Sequence, residues 1–229
     1  MGPSTKPIIY LSNDSEEQDF YTQVVGPLIF KPFRIEAHLY FRPHQQALAL
    51  SFHSRQLIEY LNYKMGYLEY GSAKQIPKTI RDSTPSIKCA FLCGLFDADG
   101  ALVFSLKSYG SYCYPTVEIK SVDLVIVSST KEMLVELGFR ASIRKSAESW
   151  VVSVNGKAQL ERWMRLIGSY NIKHLSKYLL WKEHGSCPPY TKVAERLTSL
   201  GLDQGSFYHE LVLKAGIDAL SLSNAASTG

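Results

Sequence analysis

Apolar and polar positions along the chain divide it into short elements that recur in the same order. Ile8–Leu11 reads as a strand, and Ser12-Asn13-Asp14 offers cap residues for a helix over Glu16–Ile29. Gly26-Pro27 falls inside that helical pattern and predicts a kink or an early end. Phe33–Phe41 and Ala47–Phe52 have strand character, with Arg42-Pro43-His44 as the turn between them. Arg55–Met65 reads as a helix with Gly66 as its stop. The order then repeats. Thr116–Ile119 predicts a strand, Val122–Leu137 a helix stopped by Gly138, Ala141–Arg144 and Trp150–Val154 strands, and Lys157–Ile167 a helix stopped by Gly168. The tail predicts helices at Lys177–Glu183 and Lys192–Leu200 around Cys187-Pro188-Pro189, a further helix at Phe207–Leu222, and a frayed end.

The two halves align in detail. Pro7–Leu11 matches Pro115–Ile119 at an offset of 108 (115 − 7), Phe33-Arg34 matches Phe139-Arg140 at 106, and Leu57–Glu59 matches Leu160–Arg162 at 103. Such slow drift is what changes in loop length produce, so the pattern implies an internal duplication. Two similar αβ units side by side make a pseudo-dimer.

Composition excludes more than it selects. Apolar residues make up 45% of the 229 positions and charged residues 20%, the mixture of an ordinary folded domain. A net charge of +4 permits a nucleic-acid partner without requiring one. Cys89, Cys93, Cys113 and Cys187 lack the paired C-x-x-C spacing of a structural zinc, and Cys89 and Cys93 lie four apart in an apolar stretch suited to buried thiols. The N-terminus shows no apolar signal core, and no run reaches the roughly 18 apolar residues of a membrane span. A reducing, cytoplasmic setting is expected, with an organelle also open.

The chemistry concentrates in Ala90–Gly100, an apolar helix that ends in acids. Ala90, Gly94 and Ala98 repeat at intervals of four, a small-residue face against which a partner helix is expected to pack closely. Asp97 and Asp99 fall at the C-terminal end, where carboxylates oppose the helix dipole unless they cap, pair or hold a cation. Standing alone, Asp-x-Asp-Gly reads more often as a capped turn. It does not stand alone.

Leu92–Gly100 closely resembles the nonapeptide of the LAGLIDADG homing endonuclease family. The flanking Ala90-Phe91 and Ala101-Leu102-Val103 resemble that family too, as do Lys74-Gln75-Ile76-Pro77, Ile167–His174 and Lys177–Lys182. The resemblance covers about residues 7 to 200 and implies an α+β fold of two pseudo-symmetric αββαββα units. Residues 7–83 form the first unit, 84–184 the second unit with the motif helix, and 185–229 a helical tail whose end is disordered. The 108-residue offset would put a first motif acid before residue 1, so the first unit is expected to lack its motif helix and first strand.

By the same resemblance, Asp99 matches the acid that binds Mg²⁺ or another divalent cation with the scissile phosphates. Gly94, Asp97 and Gly100 match structural motif positions. Lys74 matches a basic residue near the cleavage centre, and the second unit's equivalent is Lys173 or Lys177. Without the family match, Lys74 reads equally well as a solvated loop lysine.

Strand alternation gives further candidates for contact with DNA: Arg34, His38 and Tyr40 in the first unit, with Glu36 on the same face, and Lys107, Lys120, Arg140, Arg144 and Lys145 in the second. Each reads equally as part of a solvated sheet face. Tyr109, Tyr112 and Tyr114 fall in the Lys107–Pro115 connection, which reads as a hairpin loop that extends along DNA or as a packed aromatic turn. The activity implied is metal-dependent, site-specific cleavage of double-stranded DNA. The alternative is a cleavage-deficient nucleic-acid-binding descendant, either an RNA maturase acting on intron RNA or a DNA-binding regulator. Self-association or a complementary fragment would complete the site.

Overall fold

The computed structural model describes residues 8–42, 47–64, 75–107 and 110–202. They divide into two units, one within residues 1–69 and the other within 70–218.

In the first unit, strand β3 (Ala47–His53) lies between β1 (Ile8–Asp14) and β2 (His38–Arg42), antiparallel to both. Alternation along β3 turns Leu48, Leu50 and Phe52 to one face, and all three are buried. Leu50 and Phe52 meet Tyr21, Ile29 and Leu57 from the helices to form the core. Burial of each large side chain contributes roughly 1.5–3 kcal/mol. Ser54 caps α3 (Arg55–Glu59) by accepting from Leu57 N–H at 3.1 Å, and a π-helical turn, Tyr60–Lys64, follows.

Three expectations for this unit are corrected. Ser12-Asn13-Asp14 extends β1 rather than capping a helix. Gly26-Pro27 does not end the helical segment, which passes from α1 (Gln18–Phe20) through a π-helical stretch (Tyr21–Val25) into α2 (Gly26–Phe33). Gly26 N–H donates to Tyr21 C=O five residues back, so the widened register brings the chain into Pro27 with the helix unbroken. The strand expected over Phe33–Phe41 starts only at His38, because α2 runs to Phe33 and Arg34 closes it in a left-handed conformation (φ 53°). Met65 and Gly66 lie outside the described residues.

The second unit is a four-stranded antiparallel sheet in the order β4-β5-β7-β6, made of β4 (Gly100–Lys107), β5 (Ser111–Ser121), β6 (Ala141–Ser146) and β7 (Ser149–Asn155). Helices α5 (Pro85–Asp99), α6 (Leu124–Glu136) and α7 (Lys157–Leu166) pack on one side, and α8 (Ile172–His184) runs against β4 with α9 (Val193–Ser199) behind it. Leu102, Phe104, Val117, Ile119, Val152 and Val154 line the covered side, all buried. A short helix α4 (Lys78–Arg81) precedes α5. Tyr112 and Tyr114 belong to β5 rather than to a loop, since β5 begins at Ser111; a bulge at Ser105/Leu106 absorbs one extra residue opposite them. Tyr109 and the Phe207–Leu222 segment lie outside the described residues.

The duplication reappears as register. Ile8 pairs with His53 at the end of the first unit's central strand, as Thr116 pairs with Asn155 in the second, an offset of 108 (116 − 8). His38 pairs with Ser51 as Ser142 pairs with Ser153, an offset of 104 (142 − 38). Arg34 and Gly138 (φ 82°) are the equivalent left-handed helix stops, so Ile35 rather than Phe33 corresponds to Phe139. The β1-β3-β2 sheet thus repeats β5-β7-β6.

Candidate functional site

Helix α5 begins with Pro85 at its first turn, where a missing N–H costs nothing, and runs fifteen residues to Asp99. Cys89, Leu92, Cys93, Phe96 and Asp97 form its buried face. Phe96 is fully buried, stacked on His174 with ring centroids 4.1 Å apart and edge-on to Trp163 at 5.2 Å. Gly100 follows in extended geometry. A Cβ there would collide with the Phe96 ring and carbonyl, so glycine is what lets the helix turn directly into β4.

The two acids at the helix end have opposite surroundings. Asp97 is 5% exposed. Its Oδ1 accepts from the Ser169 hydroxyl, and its Oδ2 accepts from Tyr170 N–H at 2.9 Å. The Cys93 thiol lies 3.7 Å from Oδ2, and burial together with the neighbouring carboxylate pushes that thiol well above its ordinary range. Asn171 Nδ2 donates to the Asp97 carbonyl at 2.9 Å, while Asn171 Oδ1 caps α8 through Lys173 N–H at 2.9 Å. The carboxylate therefore ties the end of α5 to the start of α8.

Asp99 is exposed, and among the described residues nothing hydrogen-bonds to or pairs with its carboxylate. It stands one residue before β4, where Gly100 pairs with Ile119 and Ala101 with Glu118. An unpaired carboxylate at the negative end of a helix is electrostatically suited to a cation. Ala90, Gly94 and Ala98 are exposed, and among the described residues no helix of their own unit covers them.

The side of the second sheet away from the helices is polar. Register puts Thr116, Glu118 and Lys120 of β5, Ser153 and Asn155 of β7, and Ser142 and Arg144 of β6 on this open face. Thr116 donates to Asn155 Oδ1 at 2.9 Å, Ser142 and Ser153 share a hydrogen bond at 3.1 Å, and Arg144 Nη2 donates to Glu118 Oε1 at 2.9 Å.

Residues 86–168 match the model of the LAGLIDADG-like domain. The motif helix from Ser86 onward and the whole four-stranded sheet lie within this stretch. The fold is similar to that of mesophilic variants of the homing endonuclease I-DmoI, at 13% identity over 70% of this chain and 79% of that one, TM-score 0.50. It is also similar to that of the I-LtrWI LAGLIDADG homing endonuclease bound to target DNA, at 13% identity over 93% of this chain and 87% of that one, TM-score 0.51. No curated protein matches the chain. The α+β architecture expected from the sequence is the one found.

Within residues 86–168 the sequence candidates separate by face. Lys120 and Arg144 are exposed on the open sheet surface, and Arg140 is exposed one residue before β6. Lys145 follows Arg144 in the strand and so points to the other face, where its ammonium lies 5.8 Å from the centre of the Trp150 ring. Lys107 ends β4, opposite Ser111. Beyond the family-matched stretch, Lys173 is in the first turn of α8, half-buried, two residues after the Asn171 cap. Lys177 lies one turn further on and donates to Leu102 C=O at 3.1 Å; burial, with Arg196 nearby, lowers its pKa. Lys74 lies outside the described residues.

In the first unit, His38 and Tyr40 are exposed on β2, and Arg42 donates to the Tyr40 hydroxyl at 3.0 Å. Arg34 does not share their strand. It closes α2 with its guanidinium over Phe30. Sequence reasoning missed Glu118, Thr116, Asn155 and the Ser142–Ser153 pair. Their small or acidic side chains carry no charge signal for DNA, and only the strand register gathers them.

Proposed function

We propose that this chain is a site-specific endonuclease of homing type that hydrolyses phosphodiesters in double-stranded DNA with a divalent cation at Asp99. One observation carries the reading: a carboxylate with no partner among the described residues stands at the end of the motif helix, one residue from the strand that opens a polar, hydrogen-bonding sheet face. Two solved structures of similar fold are LAGLIDADG homing endonucleases, one of them bound to its target DNA.

The donor set suits Mg²⁺ in part. Asp99 offers a hard oxygen ligand, and Mg²⁺ is commonly held by one or two carboxylates together with substrate phosphates and water. Among the described residues no group of three His, Cys, Asp or Glu assembles, so the remaining ligands are water, phosphate and a second carboxylate from elsewhere. When bound, the cation supplies Lewis-acid stabilisation of the scissile phosphate and activation of water.

The chain's own residues supply the frame. Asp97 and Asn171 fix the start of α8, and with it Lys173, relative to the helix end that bears Asp99. Lys173 and Lys74 carry positive charge to offset the charge that develops on the phosphate. On the second unit Lys120, Arg144, Arg140 and Lys107 meet backbone and base edges, with the serine and threonine hydroxyls and the asparagine amide of the same face beside them; on the first unit His38 and Tyr40 do so from β2.

The single carboxylate favours a second reading, a nucleic-acid-binding protein that no longer cuts and acts on intron RNA or as a DNA-binding regulator. Incubation of the chain with a randomised duplex library in Mg²⁺ or EDTA separates the two. Metal-dependent cuts at one recurring sequence support the nuclease. Selective retention of duplex or of structured RNA without cuts supports the second.

A further inference from the structure

Among the described residues the open face of the second sheet contains one ion pair, and its placement is specific. Glu118 is on β5 and Arg144 on β6, with β7 between them. Register sets Glu118 opposite Ser153 and Arg144 opposite Val151. To bring Nη2 within 2.9 Å of Glu118 Oε1, the arginine reaches across β7, the central strand of the three. Val151 and Ser153 lie on this nominally open face yet are only 2% and 6% exposed, as expected if side chains roof that strand. The Arg144 side chain remains 52% exposed and that of Glu118 23%. The guanidinium is thus laid over the sheet with one edge held and the other in solvent.

An exposed pair of this kind contributes about 0.2–1 kcal/mol to stability, so its main consequence is orientation. Arginine carries five N–H donors in a rigid fork, and Glu118 engages one of its nitrogens. The free edge fits either a phosphate or a base. A phosphate brought to this guanidinium would also approach the Glu118 carboxylate, a like charge. Guanine presents two neutral acceptors, O6 and N7, in the major groove at the spacing of two guanidinium donors.

We infer that Arg144 reads a guanine in the target duplex and that Glu118 is its positioning residue, so that this pair sets specificity at one base pair. The inference rests on the proposed binding of DNA to the open face. Lys120, exposed on the same face and without a carboxylate partner among the described residues, is left for the phosphates.

The test is selection of bound sites by the full chain from a randomised duplex library without divalent metal. Affinities for every single-base-pair change of the selected sequence then follow, for wild type, Arg144→Ala, Arg144→Lys and Glu118→Gln. Wild type is expected to prefer G·C at one position by roughly ten-fold or more. Arg144→Ala and Arg144→Lys should both lose that preference while discrimination elsewhere is kept. Glu118→Gln should bind with similar overall affinity but weaken the same preference several-fold. Uniform weakening by Arg144→Ala across all sequences would make the residue a phosphate anchor and overturn the inference. An unaltered preference in Glu118→Gln would remove its positioning role. Failure of the wild type to retain any duplex would overturn the DNA-binding reading itself, and the guanine contact with it.

Discussion

The Ser169 hydroxyl donates to the buried carboxylate of Asp97, 72 positions earlier in the chain, and Asp99, two residues further along the same helix, has no such partner among the described residues. One helix end therefore carries one structural acid and one available acid. Asp97→Ala would leave the Ser169 hydroxyl and Tyr170 N–H buried without their acceptor. Each orphaned group costs about 1–3 kcal/mol, and the variant is expected to lose roughly 3 kcal/mol of stability in urea denaturation. Asp99→Asn should leave stability unchanged or raise it by up to about 1 kcal/mol, because a carboxylate opposes the helix dipole there. Equal losses in the two variants would erase the distinction.

Gly100→Ala tests the tight join between motif helix and first strand. The new methyl would be forced into the Phe96 ring and carbonyl and would stand 2.9 Å from Phe96 Cα. Phe96 is packed between Trp163 and His174 and cannot yield, so a loss of about 1–3 kcal/mol is expected. Thermal melting of Gly100→Ala beside Gly94→Ala gives the comparison, since a Cβ at Gly94 meets nothing within 4 Å. A larger loss at Gly94 would contradict the packing described.

How much of this was legible in the sequence differs by element. The motif helix was readable because its small residues and terminal acids form a contiguous string, and the duplication because apolar runs recur at near-constant offset. Arg34 was misplaced because propensity cannot show that α2 carries through Gly26-Pro27 to Phe33. The widened turn that permits this is a backbone adjustment with no residue signature of its own. The Asp97–Ser169–Asn171 network and the Glu118–Arg144 pair were hidden for another reason. Both join polar residues across long separations, and only the packed helix and the strand register bring them together. Lys120 and Lys145 look alike in sequence, yet the pleat sends them to opposite faces.

That last difference is measurable. Lys120→Ala should weaken duplex binding and reduce the salt dependence of affinity by about one ion, whereas Lys145→Ala should change neither appreciably. Filter binding or fluorescence anisotropy over a range of NaCl concentrations gives both slopes. Equal effects would mean that DNA does not lie along the open face.

Tyr21 makes the first unit sensitive to alkali. Burial, reinforced by Glu17, raises its phenol from 10.0 to about 12. Above pH 10 the unfolded chain releases this proton while the folded chain retains it. The stability present below pH 10 is therefore lost as pH rises towards 12, by on the order of 2 kcal/mol. Tyr21→Phe should flatten that part of the profile when unfolding is followed by circular dichroism at successive pH values. An identical profile in the variant would remove Tyr21 as the cause.

The central claim is that Asp99 holds the metal for phosphodiester cleavage, and Asp99→Asn tests it most directly. Wild type and variant are compared for Mg²⁺-dependent cutting of the selected duplex and for binding to it in EDTA. The account predicts cleavage by the wild type, its loss in Asp99→Asn, and binding affinities within about two-fold of each other, since removal of a ligand carboxylate abolishes the metal's contribution without touching the sheet face. Undiminished cleavage by Asp99→Asn would contradict it.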